Sequence, residues 1–237
     1  MKKTLHRADT RGRASFGWLE SYHSFSFGHY HNPERMHFGA LRVLNDDRVA
    51  PGRGFDTHSH RNMEIISIPL RGDLEHQDSM GNTSVIEVGD VQVMSAGTGV
   101  AHSEYNKNAD QEVAFLQIWI IPDRSNVEPR YDQIRLEPGS LWNRWYTVLG
   151  PRGKHPGLWI HQDAWFHLGD FETGQEPVYP LRDPGHGLYI FVIEGSVEVA
   201  GEVLHRRDGL GIEGAESLSF RILEPARVLL MEVPALG

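Results

Sequence analysis

"GFDTHSHRNMEIISIPLRGDLEHQ", residues 54–77, sets two histidines one residue apart just before a short apolar run, Met63 to Leu70, that stops at Gly72. A run of that length, rich in isoleucine and closed by a glycine, reads as a β-strand. The signature recurs in "ALRVLNDD" from Ala40, "TSVIEVGDVQVM" from Thr83 and "EVAFLQIWII" from Glu112. Between these runs, "DSMGN" (Asp78–Asn82) and Gly89-Asp90 supply turn residues that accept positive φ. The best helical pattern, "PRYDQIRL" from Pro129, is too short to form a layer against a large parallel sheet. The chain is therefore expected to be all-β, a meander of short antiparallel strands with few short helices.

The chain has 237 residues and a formal charge of -9. That charge, without a Lys/Arg cluster, argues against direct nucleic-acid binding. No apolar run approaches the roughly 18 residues a membrane span needs, so no membrane partner is expected. "MKKTLHRADTRGRASF" lacks the apolar core of a secretory signal, and a cytoplasmic location is the expectation. The sequence contains no cysteine. Thiolate metal sites and thiol nucleophiles are thereby excluded, which leaves histidine and carboxylates as metal ligands. "GTGVAH" has no following lysine and no helix to open, so it is not a phosphate loop. No Gly-x-Ser-x-Gly elbow supports a serine hydrolase.

From Asp123 to Pro156 the composition turns to Pro, Gly and charge, and we place a domain boundary there, between 1–135 and 136–237. Beyond it, "GLYIFVIEGSVEVAGEVLHRRDGLGIEG" repeats the strand, glycine, strand, turn rhythm of the first half, as a tandem duplication would.

Of 14 histidines, nine fall within the first 105 residues. Residues i and i+2 of a strand share a face about 7 Å apart, so His58 and His60 can converge on one ion. Alone, the pair is equally compatible with ordinary hydrogen-bonded histidines. His102 and Glu104 in "SAGTGVAHSEYN" form a second such pair, and three imidazoles with a carboxylate make an N/O set suited to a divalent first-row metal. Glu64 shares His60's parity but lies about 13 Å farther along an extended strand, so it could join the ion only through a bend; otherwise it supports a ligand or is simply polar. His23, His29, His31 and His37 sit among aromatics in "SYHSFSFGHYHNPERMH" and would either line a pocket for a planar ligand or serve as ordinary surface and core. His76 would either orient a ligand or steady a turn.

Gly52-x5-His58-x-His60-x3-Glu64 followed by Gly72 resembles the first cupin motif, and Gly99-x2-His102-x3-Asn106 resembles the second, without its usual proline. More specifically, "FDTHSHRNMEII", "HQDSMGN", "MSAGTGVAHSEYN" and "GWLESYHSFSFGHY" resemble the pirin family, especially its bacterial quercetin 2,3-dioxygenase members. The resemblance implies a bicupin, two tandem jelly-roll-like barrels. The N-terminal barrel would hold one divalent transition metal ion through His58, His60, His102 and Glu104, with iron first and copper, manganese, nickel, cobalt or zinc as other occupants. The C-terminal barrel would be degenerate and metal-free. Its His161, His167, His186 and His205 form no His-x-His or His-x-Glu pair. The implied activity is ring cleavage of a flavonol such as quercetin by O2, with Glu104 as the catalytic proton acceptor. The alternative is a metal-containing regulatory or redox-sensing protein that binds protein partners.

Overall fold

The structure, a computed structural model, describes residues 1–236. Among these the only helical element is a single 3-10 turn, Ala8–Thr10, and the rest is strand and loop. "PRYDQIRL" folds as strand Arg130–Arg135, paired antiparallel with Asp90–Ser95. Its helical spacing is overridden because it completes the edge of a sheet.

The N-terminal half is a sandwich. One sheet has seven strands, in the spatial order Arg130–Arg135, Asp90–Ser95, Glu64–Arg71, Val113–Ile120, Leu41–Val49, Leu19–His23 and Gly12–Ser15. The facing sheet has four, Gly54–His60, Val100–Asn106, Leu74–Asp78 and Thr83–Ile86. In the C-terminal half a nine-stranded sheet is built around the long pair His186–Val199 and Ser217–Pro234. Strand Lys2–His6 crosses over to pair with Gly209–Glu213, so the amino end is sewn into the other half. We propose the division at 135/136 for the remainder of the chain.

The central strands show why their sequences carry so few polar residues. Along Val113–Ile120, Leu116, Ile118 and Ile120 pack into a core shared with Phe166, Leu168, Leu229 and Met231 of the C-terminal half. Val113 and Phe115, of opposite parity, pack with Leu74 and Ile86 of the four-stranded sheet. A strand covered on both faces reads as a continuous apolar run. Each side chain so buried contributes roughly 1.5–3 kcal/mol. Phe38 helps fix the two halves together: its ring lies where a Cβ on Gly187 or Gly211 would stand, at 2.7 and 2.5 Å, so only glycine fits there. Gln117 and Ser67 interrupt the apolar runs of two central strands, Val113–Ile120 and Glu64–Arg71, and both are buried. They mark the face on which the site is built.

Candidate metal centre

The four-stranded sheet delivers the histidines. Val100–Asn106 alternates buried and half-buried residues with strict period two, which turns His102 and Glu104 inward together. His102 lies opposite His58, and Val100 opposite His60, while Glu104 lies opposite Phe55. The slip between His102 and Glu104 is a bulge in the Gly54–His60 strand, a device that re-aims side chains next to sites.

The structure brings His58, His60 and His102 together, with one ring nitrogen from each within 4.8 Å of the others. Glu104 forms a second group of the same tightness with His102 and His76. His102 is the member common to both. Burial pushes His60 down to about 4 and His102 down to about 3, with the neighbouring imidazoles adding to the effect. Both rings are therefore neutral at pH 7 and keep a lone pair for a metal.

Hydrogen bonds fix which nitrogen carries that lone pair. His58 Nδ1 lies 2.8 Å from the Asp56 carbonyl oxygen, which can only accept, so Nδ1 is protonated and Nε2 is free. A longer chain sets His102. Asp78 accepts from the backbone N–H of Met80 and of Asn82 and from the Asn82 amide. His76 Nε2 lies 3.0 Å from Asp78 Oδ2 and donates to it. With the His76 proton on Nε2, its Nδ1, 3.4 Å from His102 Nδ1, accepts and His102 Nδ1 donates. His102 Nε2 is left as a bare lone pair, buried and without a partner. An orphaned acceptor beside two other imidazoles fits a bound cation.

Glu104 is held from the opposite sheet. The Gln117 amide donates to both its oxygens, at 3.0 and 2.8 Å, and the Ser67 hydroxyl lies 3.3 Å from Oε1. Glu64 is elsewhere. The chain turns at Asn62, whose φ is 51°, and leaves the four-stranded sheet, so Glu64 opens a strand of the seven-stranded sheet. There it accepts from Ser95 at 2.6 Å. Burial, opposed by that bond, raises it to about 7.

Beside the cluster lies a cavity of about 190 Å3 lined by Phe27, Phe55 and Trp119 as well as His58, His60 and Glu104. Trp119 stands edge-on to His60 at 4.9 Å. Of the four early histidines, His23 and His29 line this cavity, whereas His37 bonds the Gly39 carbonyl. Asn45 and Asp47 line it too; Asp47 accepts from Ser21 and is raised to about 7, mainly by burial. Sequence reasoning passed over Gln117, Ser67, Asp78 and Asp47. For Gln117 and Ser67 the available signal was a polar residue inside an otherwise unbroken apolar strand.

Two mainly antiparallel β units, one carrying a His/Glu cluster inside its sandwich, define a two-barrel cupin-type metalloprotein. The Pirin family model matches residues 5–120 and the Quercetinase C-terminal cupin domain model matches residues 147–233. The chain belongs to the pirin family. Over 230 residues it is 38% identical to quercetin 2,3-dioxygenase of Escherichia coli K12, spanning 97% of this chain and 98% of that one. The crystal structure of the bacterial pirin YhhW from Escherichia coli in complex with nickel(II) superposes with a TM-score of 0.93 at 37% identity, covering 99% and 100% of the two chains. A quercetin 2,3-dioxygenase structure from Acinetobacter baumannii shares the fold, with a TM-score of 0.79 at 21% identity, covering 98% and 85%. The fold and the site support a divalent metal ion.

Proposed function

We propose that this chain is a metal-dependent dioxygenase that opens the heterocycle of flavonols such as quercetin with O2, and that His58, His60, His102 and Glu104 hold the ion. The observation that carries this reading is the convergence of three imidazoles, two of them, His58 and His60, on the wall of an aromatic-lined cavity that Glu104 also lines. The homologue named quercetin 2,3-dioxygenase, matched end to end, supports the choice of substrate. Iron is our first candidate for the ion, with nickel, copper, manganese, cobalt and zinc as other occupants that such donors accept. When bound, a divalent ion supplies Lewis acidity toward an enolic hydroxyl and open positions for small oxygen ligands.

The protein's own groups divide the remaining work. Phe27, Phe55 and Trp119 offer flat apolar surface that seats a planar ring system and excludes water. Glu104 accepts the proton of the flavonol 3-hydroxyl at a carboxylate oxygen. Gln117, gripping both oxygens, holds that acceptor in one orientation, as a proton-transfer group within hydrogen-bond reach requires. Asn45 and Asp47, on the same cavity wall, face hydroxyls farther out on the ligand.

The test is aerobic incubation of metal-loaded protein with quercetin. Loss of flavonol absorbance together with carbon monoxide release is expected. Turnover no faster than with metal-free protein would overturn the reading. No helix among the described residues is long and apolar enough to cross a membrane.

A further inference from the structure

Polar atoms without partners gather at a second place, in the C-terminal half. A groove of about 710 Å3 is lined by His167, Trp145, Tyr179, Pro180, Arg144 and Arg182, among others. His167 is 2% exposed, and neither of its ring nitrogens has a partner. The indole Nε1 of Trp145 is likewise buried and unpartnered. Burial first, then the charges of Arg182 and His155, pushes His167 down to about 3, so the ring is neutral and presents one donor and one acceptor. With the indole N–H, two buried donors and one buried acceptor on residues that line this groove have no partner. Native interiors leave few such groups without a reason.

The groove is not a second metal centre. Glu232, the buried carboxylate bonded to the groove's Tyr179, is occupied by that hydroxyl at 2.6 Å, the backbone N–H groups of Arg182 and Asp183, and His186. Both clusters of candidate metal ligands found among the described residues, one of three histidines and one of two histidines with Glu104, lie in the N-terminal half. The charge of the lining is one-sided: it includes two guanidinium groups and no carboxylate, in a chain whose net charge is -9. Each cation is held by its own neighbour. Arg144 Nε donates to the Ser140 carbonyl at 2.6 Å, and the Arg182 guanidinium lies 4.7 Å over the Trp165 ring. Two fixed guanidinium groups select an anion, and a carboxylate is the shape their paired N–H edges match. Trp145, Tyr179 and Pro180 favour a flat apolar body attached to it.

We infer that this groove binds a small aromatic carboxylate, with its charge between Arg144 and Arg182, its ring against Trp145 and Tyr179, and a ring hydroxyl meeting His167. The inference does not depend on the activity proposed for the metal centre. It assigns a ligand to the half that the family resemblance implies is degenerate and metal-free.

The experiment titrates the metal-loaded full-length chain with 4-hydroxybenzoate and, separately, with the uncharged 4-hydroxybenzamide, following ring signals by NMR. Saturable binding of the acid is expected, with cross-relaxation from its ring protons to Trp145 and His167. At least tenfold weaker binding is expected both for the amide and for the acid with Arg182→Gln. Quercetin should not displace the probe, and Arg182→Gln should leave quercetin turnover unchanged. Equal affinity for acid and amide, displacement by quercetin, or no saturation at millimolar probe would each overturn the assignment. The cross-relaxation arm uses the wild-type chain and so stands even if the variant folds poorly.

Discussion

Replacing His76 by leucine removes the only group that receives the Nδ1 proton of His102. In the wild-type chain Asp78 fixes the His76 proton on Nε2, His76 presents its Nδ1, and His102 is left with a bare Nε2. Leucine leaves a buried N–H unsatisfied, at a cost of about 1–3 kcal/mol. The ring can escape this cost by moving the proton to Nε2, which closes that nitrogen to a metal. A bias of about 1.4–2.8 kcal/mol corresponds to a 10- to 100-fold change in an equilibrium constant, the range seen when supporting partners of metal-bound histidines are removed. Metal affinity, measured by competition with a chromophoric chelator, should therefore fall 10- to 100-fold. Urea unfolding of the metal-free variant separates this effect from a global loss of structure. Nitrogen-15 NMR of metal-free wild-type protein should show His102 Nε2 as the unprotonated nitrogen. Wild-type affinity in His76→Leu, or a proton on His102 Nε2, would refute the reasoning.

Four further substitutions probe the rest of the site and its surroundings. His58→Ala and His102→Ala should lower metal content and quercetin turnover together while circular dichroism stays unchanged, because the cores pack without the ion; stoichiometric metal retained in both would remove these residues from the ligand set. Gln117→Leu strips Glu104 of its two amide bonds. Bonds to a charged group are worth about 1.5–3 kcal/mol, so kcat should drop about 10- to 100-fold with bound metal retained, and an unchanged kcat would mean that Glu104 needs no clamp. Glu64→Gln tests a buried acid. Its native-state value is raised from 4.5 to about 7, so the folded protein binds the extra proton and wild-type stability declines as pH rises from about 4.5 to about 7. The loss from this group is about 3 kcal/mol. Urea unfolding should show the variant gaining on wild type across that window, whereas parallel curves would place Glu64 in an ordinary environment.

The sequence carried the fold through a few residues. "MEIISIPL" and "EVAFLQIWII" announce strands buried on both faces, and the two i, i+2 pairs announce inward-facing ligands because period two survives in Val100–Asn106. What stayed hidden was long-range or depended on a single dihedral angle. Parity along one extended strand put Glu64 on the face of His60, about 13 Å away, but the turn at Asn62 sends it into the other sheet. Nothing local indicates that Lys2–His6 pairs with Gly209–Glu213, since that partnership is chosen by the free edge of a distant sheet. "PRYDQIRL" illustrates the same override, its spacing yielding to the hydrogen bonds offered by Asp90–Ser95. Gln117 and Glu104 lie in different sheets, so the clamp on Glu104 appears only when the sandwich closes.

X-ray absorption at the metal edge of iron- or nickel-loaded protein reads the ligand set itself. We expect multiple-scattering from three imidazoles plus light oxygen donors in the wild-type chain, falling to two imidazoles in His58→Ala. A first shell holding one imidazole or none, or a spectrum indifferent to that substitution, would contradict a centre built from His58, His60, His102 and Glu104.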